Sequence, residues 1–189
     1  MNPRTFLEIM KVAERLKDAT RHCYTSQGRH ESVAEHSWRI SLMAYFLKDV
    51  FPEADMNKVI QMCLIHDLGE AFTGDIPTFE KTSADEQVEE NVLYAWVKTL
   101  PAPYNEEMLM LYKEMEERKT VEAKIYKAMD SLEALIQHNE SDISTWIPLE
   151  YELNKTYAFD KVDFSEYLTI LRKEILKDTL EKIENEKHD

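Results

Sequence analysis

Four residues in this chain have the types needed to hold one cation: His36, the adjacent pair His66-Asp67, and the distant Asp130. Imidazole and carboxylate together suit Mn, Fe, Co, Ni or Zn far better than Ca or Mg. Adjacent His and Asp side chains meet one ion only from a shaped backbone, which points to a helix end. The pair sits in Leu64-Ile65-His66-Asp67-Leu68-Gly69-Glu70, followed by Ala71-Phe72-Thr73-Gly74-Asp75. Two further acids, Glu70 and Asp75, therefore lie close in sequence to the proposed ion, where acid and base work on water and a leaving group is needed. A His-Asp dipeptide alone carries little. The set of four with two acids beside it carries a functional reading.

The rest of the composition narrows the class. At 189 residues the chain reads as one domain, residues 1–189, with room for a sizeable core. Only 3 Gly and 6 Pro leave little scope for a loop-rich β architecture. A net charge of −14 argues against binding long nucleic acid, which needs clustered Lys and Arg, but leaves room for a single nucleotide in a locally positive pocket. The two cysteines, Cys23 and Cys63, form neither a disulfide framework nor a zinc knuckle, and Cys63 reads as core packing. The N-terminus lacks the apolar core of a signal peptide and no apolar run suffices for a membrane span, so the cytoplasm is the expected compartment.

Apolar spacing is helical nearly throughout, with no convincing alternating strand. Phe6, Ile9, Met10, Ala13 and Leu16 mark a first helix; a polar stretch from Asp18 to Glu31, broken at Gly28, follows. Ser32-Val33-Ala34-Glu35 reads as a capping box opening a helix that Pro52 ends, with His36 one turn before Ile40 on its inward face. The next helix spans about Asp55 to Leu68, with His66 and Asp67 in its last turn and Gly69 as its terminator. The segment from Gly69 to Ser83 reads as a loop. Val88, Val92, Ala95, Trp96 and Leu100 mark another helix, and Met108, Leu111, Tyr112 and Met115 one more, a core cluster rather than a metal box. Thr120 caps a long helix to about Asn139 with the stripe Ile125, Met129, Leu132 and Ile136. Asp130 lies on its opposite side, near Ala123, Tyr126 and Ala134. A helix apolar on both sides belongs in the middle of a fold. Phe164, Leu168, Leu171, Ile175 and Ile183 mark a last amphipathic helix, and the acidic tail from Glu181 to Asp189 is expected to fray.

These motifs resemble the HD-domain metal-dependent phosphohydrolases, most closely their 5′-deoxynucleotidase-like branch. The carriers of the resemblance are Arg21 in an N-terminal loop, Glu31-Ser32-Val33-Ala34-Glu35-His36, the His66-Asp67 to Asp75 core, and Lys127-Ala128-Met129-Asp130-Ser131-Leu132-Glu133. The resemblance covers roughly residues 1–140, leaving C-terminal helices at about 141–189. It implies an all-α HD-domain bundle, metal ligands His36, His66, Asp67 and Asp130, catalytic Glu70 and Asp75, phosphate-binding Arg21, and a homodimer. Deoxynucleotidases of the family often place Trp against the sugar after the loop Arg; here that position is His22. Dinuclear members of the superfamily place extra histidines between the positions matching His66 and Asp130. This chain has its histidines at 22, 30, 36, 66, 138 and 188, so one metal is expected, Mn, Co, Fe or Zn.

The expected activity is hydrolysis of (deoxy)nucleoside 5′-monophosphates to nucleoside and phosphate. Glu70 is expected to protonate the leaving oxygen and Asp75 to serve on the water side. One rival is hydrolysis of another phosphate ester, a nucleoside triphosphate or guanosine tetraphosphate, for which Arg29, Arg39 and Lys81 are the available extra cations. Others are a non-catalytic nucleotide sensor, disfavoured by the presence of Glu70 and Asp75, and a purely structural helical protein. His22, His30 and His138 read as surface or packing residues unless the sugar position claims His22. No set of base-reading side chains is identifiable.

Overall fold

The computed structural model describes residues 1–186 and is all-helical but for one small hairpin. In chain order the elements are α1 (Pro3–Glu14), β1 (Thr20–Tyr24), β2 (His30–Ser32), α2 (Val33–Phe46), α3 (Met56–Ile65), α4 (Glu70–Thr73), α5 (Ser83–Val97), α6 (Tyr104–Glu117), α7 (Val121–Glu140), α8 (Glu150–Thr156), α9 (Phe159–Val162) and α10 (Glu166–Glu186).

Helices α2, α3 and α7 pack against one another and hold the centre of the core. Helix α7 starts where the Thr120 side chain accepts from the Ala123 amide, and it is buried on both sides. Ile125, Met129 and Leu132 are buried on one side of it and Ala123 and Tyr126 on the other, which is the pattern of a central helix. Helices α8 to α10 close over its far side, with Leu168 and Ile175 of α10 in the same core. Helix α2 opens on the expected capping box: Ser32 Oγ accepts from the Glu35 amide and the Glu35 carboxylate accepts from the Ser32 amide.

Several expectations are corrected. The polar stretch after α1 forms an antiparallel hairpin, pairing Thr20 with Ser32 and Tyr24 with His30, and it turns at Gly28 with a φ of 79°. Its inward side chains are Arg21, Cys23 and Glu31 rather than hydrophobes, so no apolar alternation marks it. Helix α2 stops at Phe46, six residues before Pro52, in a tight turn in which Leu47 and Val50 donate to the Ala44 and Leu47 carbonyls. Phe6 and Met10 of α1 and Val88 and Val92 of α5 are exposed, while Val12, Leu93 and Val97 are buried. Met115 is core but Met110 faces outward. Helix α10 extends to Glu186, and the end of the acidic tail, 187–189, lies outside the described residues. Cys23 and Cys63 are both buried free thiols.

Candidate metal centre and adjoining cavity

The backbone at His66-Asp67 is not the last turn of a regular helix. Helix α3 ends at Ile65, and residues 66–69 form a tighter turn in which Leu68, Glu70 and Ala71 donate to carbonyls three residues back. Narrowing from four- to three-residue bonds swings Asp67 beside His66, so that both side chains reach one point. Side chains brace the carbonyls at the helix end: Tyr112 Oη donates at 2.7 Å to Ile65 O, which also accepts from the Leu68 amide, and His66 Nδ1 donates to Cys63 O at 2.9 Å. Gly69 does not end a helix; it precedes α4, and a Cβ there would lie 2.7 Å from the Glu89 side chain. Its smallness lets α4 approach α5.

His36, His66 and Asp67 present ligand atoms all within 4.8 Å of one another. Asp130 Oδ1 reaches the same point from α7, 3.2 Å from His36 Nε2 and 3.8 Å from His66 Nε2. Both imidazoles are anchored through Nδ1, His66 by Cys63 O and His36 by Glu133 Oε2 at 2.5 Å, which leaves both Nε2 atoms directed at the acids. His66 Nε2 is buried with no hydrogen-bond partner, although Asp67 Oδ2 is 3.0 Å away in a misaligned direction. That is ligand geometry rather than hydrogen-bond geometry, and it fits a cation. Burial alone lowers the His66 pKa, yet Asp67 and Asp130 outweigh it and push it up to about 10. The donor set thus demands positive charge. Asp130 offers one oxygen only, since Lys127 Nζ holds Oδ2 at 2.6 Å.

A second acidic cluster, Glu31, His36 and Glu133, is already filled. Arg21 donates to Glu31 at 2.7 Å and to Glu133 at 3.1 Å, and its guanidinium lies against His36 Nδ1. Arg21 is therefore first the counter-ion of two buried carboxylates, and it also lines a cavity beside the metal centre.

This cavity, about 380 Å³, runs from Asp130, Arg21 and Asp75 along α7 to His138 and α8. Asp130, Ala134 and His138 lie four residues apart on one stripe of α7. Glu70 is not in the cavity wall; it is 6% exposed at the start of α4, with Oε2 unpartnered. Burial, together with Asp67, Asp75 and Glu89, pushes its carboxyl up to about 10. Asp75 is raised by burial and by Asp67, with Arg21 and Lys81 opposing.

The structure therefore brings together all four proposed ligands, Arg21, Asp75 and His22, with Glu70 directly behind. It does not bring the suggested extra cations to the cavity: Arg29 pairs with Glu35, Arg39 with Glu140, and Lys81 with Glu89. Lys127 is the cation that lines it instead. His138, read as packing or surface, is a wall residue 3.4 Å from the buried Glu150. His22 also lines the wall, 3.2 Å from Glu150 and edge-on to Phe79, while His30 is exposed. Sequence reasoning missed Lys127 and Glu133, whose signal was their spacing of three residues on either side of Asp130, and Asn154 of α8, which had none.

Comparison with known proteins identifies the family and the fold. The model of the HD domain matches residues 13–171. The 5′-deoxynucleotidase HDDC2 of Dictyostelium discoideum is 33% identical over 145 residues, covering 71% of this chain and 76% of its own length. The 5′-deoxynucleotidase hdd1 of Schizosaccharomyces pombe is 28% identical over 168 residues, covering 77% and 83%. Among solved structures, a "Predicted metal-dependent phosphohydrolase" of Magnetospirillum magnetotacticum MS-1 superposes with a TM-score of 0.80 at 24% identity, covering 95% of this chain and 93% of that one. A conserved hypothetical protein of Pyrococcus furiosus gives 0.72 at 28% identity, covering 90% and 99%.

Proposed function

The chain belongs to the HD-domain family, and on that premise we propose that it is a metal-dependent phosphomonoesterase releasing phosphate from deoxynucleoside 5′-monophosphates. The observation that carries this is one cavity that joins a four-ligand cation centre to a wall large enough for a nucleoside. It is supported by the relatives named 5′-deoxynucleotidase.

His36, His66, Asp67 and Asp130 would hold one divalent ion, with Mn, Co, Fe or Zn fitting the nitrogen–oxygen donor set without thiolate. When bound, such an ion supplies Lewis acidity at the phosphate and at water. Arg21 and Lys127 face the phosphate end and offset its charge, Arg21 by its planar fork. Asp75, on the cavity wall, orients the attacking water. Glu70, whose carboxyl burial and neighbouring acids push up, stands behind the cavity wall as the proton source for the leaving O5′. Arg21 and Lys127, each already paired with an acid, leave little free positive charge for a triphosphate.

Residues from about 141 onward belong to the same folding unit, since α10 packs on α7 and α8 walls the cavity. No described helix is long and apolar enough to cross a membrane. The cytoplasm is the assigned compartment, in keeping with two unpaired thiols. The protein forms a homodimer through the exposed face of α2, where Trp38, Leu42, Tyr45 and Phe46 share one stripe. The acidic chain does not engage long nucleic acid.

The decisive experiment is phosphate release across 5′-mono- and triphosphates, ribo and deoxy, plus a 3′-monophosphate, with Mn or Co supplied. Release from deoxyribonucleoside 5′-monophosphates supports the assignment. Equal rates on ribonucleotides remove the sugar preference, which His22 leaves open. Cleavage of triphosphates with monophosphates inert overturns it.

A further inference from the structure

The end of the cavity remote from the metal centre is lined by polar groups that the hydrolytic reaction does not use. Asn154 of α8 is 2% exposed, lines the cavity, and has no partner for its Nδ2. Beside it, Glu150 Oε1 lies 3.2 Å from His22 Nε2 and 3.4 Å from His138 Nε2, yet Oε1 and His22 Nε2 are both buried without a well-directed hydrogen bond. Buried polar side chains are nearly always paired. Three with unmet capacity around one end of one cavity mark a ligand contact.

The wall that carries Asn154 is built to stay in place. Arg172 of α10, fully buried, donates from Nε to Tyr157 O and from a terminal nitrogen to Asn154 O, both at 2.8 Å. Its guanidinium carbon lies 4.4 Å from the centre of the Phe159 ring. The backbone of Asn154 is thus tied toward α10, while Leu153, Tyr157 and Phe79 give the same end of the cavity flat and apolar surfaces. From Asp130 to His138 the wall extends eight residues along α7, about 12 Å at the helical rise, which suits a phosphate at one end and a ring system at the other.

We propose that this end of the cavity binds the nucleobase and that Asn154 is the specificity-determining residue, pairing its amide with an adjacent donor and acceptor on the base edge. The inference rests on the phosphomonoesterase reading and deepens it. An amide offers one acceptor and two donors, so it can pair with the ring N–H and carbonyl of thymine or guanine or with the ring nitrogen and amine of adenine or cytosine, and the orientation in which the wall holds the amide decides which is met better. His22 and His138, on the same wall with Glu150 behind them, meet the remaining hydrogen-bonding capacity of the ligand.

The test compares kcat/KM on four deoxynucleoside 5′-monophosphates with that on 2-deoxyribose 5-phosphate, which has the scissile ester but no base, using Mn-loaded protein. The wild-type chain should favour nucleotides over the sugar phosphate. Asn154→Ala should shrink that ratio by about three- to tenfold, the worth of a hydrogen bond, and Asn154→Asp should change the rank order among bases. Circular dichroism melting identifies a variant that has lost its fold, in which case Asn154→Ser serves in its place. Equal wild-type rates with and without the base, or equal losses on both substrates in the variants, overturn the assignment of Asn154 while leaving the phosphomonoesterase reading intact. A chain inert toward every monoester overturns both.

Discussion

Glu133 Oε2 accepts the Nδ1–H of His36 at 2.5 Å, and neither side chain is exposed to solvent. The same carboxylate oxygen accepts from Arg21. One buried acid on α7 therefore fixes the tautomer of His36, the proposed metal ligand from α2, and the position of Arg21 from β1. Glu133 is three residues, about one helical turn, beyond Asp130, so α7 supplies both one proposed ligand and the group that orients another.

Replacing this acid by its isosteric amide isolates that role. Glu133→Gln keeps the volume but loses the charge that holds the imidazole and balances Arg21. Partners of metal-ligating histidines typically carry about ten- to a hundredfold in metal affinity, and that is the expected loss. Competition of Mn or Co against a chelator measures it. An unchanged affinity would show that His36 orients without Glu133.

Glu70 should separate chemistry from metal binding. Its carboxyl is pushed up by burial and by Asp67, Asp75 and Glu89, and it is not one of the four ligands. Glu70→Gln should keep the metal content and lower kcat by about 10²–10⁴, the usual contribution of general acid catalysis. Asp75→Asn should also lower kcat with metal retained. Near-normal turnover in Glu70→Gln would remove the acid role.

The sequence makes His36 and the His66-Asp67 pair readable because an apolar helical stripe reports which residues face inward, and His36 shares a face with Ile40. Asp130 is less readable, because α7 is apolar on both sides and periodicity then no longer names one inner face. The hairpin escapes for the opposite reason: its buried side chains are Arg21, Cys23 and Glu31, which imitate a polar loop. The turn at His66 depends on three-residue backbone bonds that no local pattern announces. Asn154 lies 24 residues after Asp130 in chain order, and only the packing of α8 through Arg172 brings it to the cavity.

His138 gives the protein an acid-sensitive limb. Burial, then the neighbouring Arg21 and His22, hold its imidazole down to about 4 from an ordinary 6.5, with Glu133 opposing. Below pH 6.5 the unfolded chain takes up a proton there that the folded chain refuses until about pH 4. The stability tied to the neutral ring is therefore complete above pH 6.5 and lost as pH falls toward 4, by at most about 3 kcal/mol. Glu150, raised by burial, takes up a proton in the folded state and offsets part of that loss. His138→Gln, which cannot titrate, should flatten the fall in urea-unfolding stability between pH 7 and about pH 4.5. An identical acid limb in the variant would mean that His138 is protonated in the fold.

The exposed face of α2 makes the assembly testable without touching the site. Trp38 is 63% exposed and Phe46 72%, and Leu42 and Tyr45 lie between them on the same stripe. His36, Ser37, Ile40 and Ala44, on the other side of the same helix, are buried. A helix with apolar residues on both faces exposes surface that association would remove from water, at about 25 cal/mol per Å². Beside the stripe, Leu42, Met43, Phe46, Leu47, Ile136 and Leu171 line a shallow groove into which a partner's aromatic side chain can insert. Trp38→Glu combined with Phe46→Glu should convert a dimer to a monomer by sedimentation or light scattering at micromolar concentration, with metal content retained. A wild-type chain that is already monomeric, or a variant that remains dimeric, would move the contact elsewhere or abolish it.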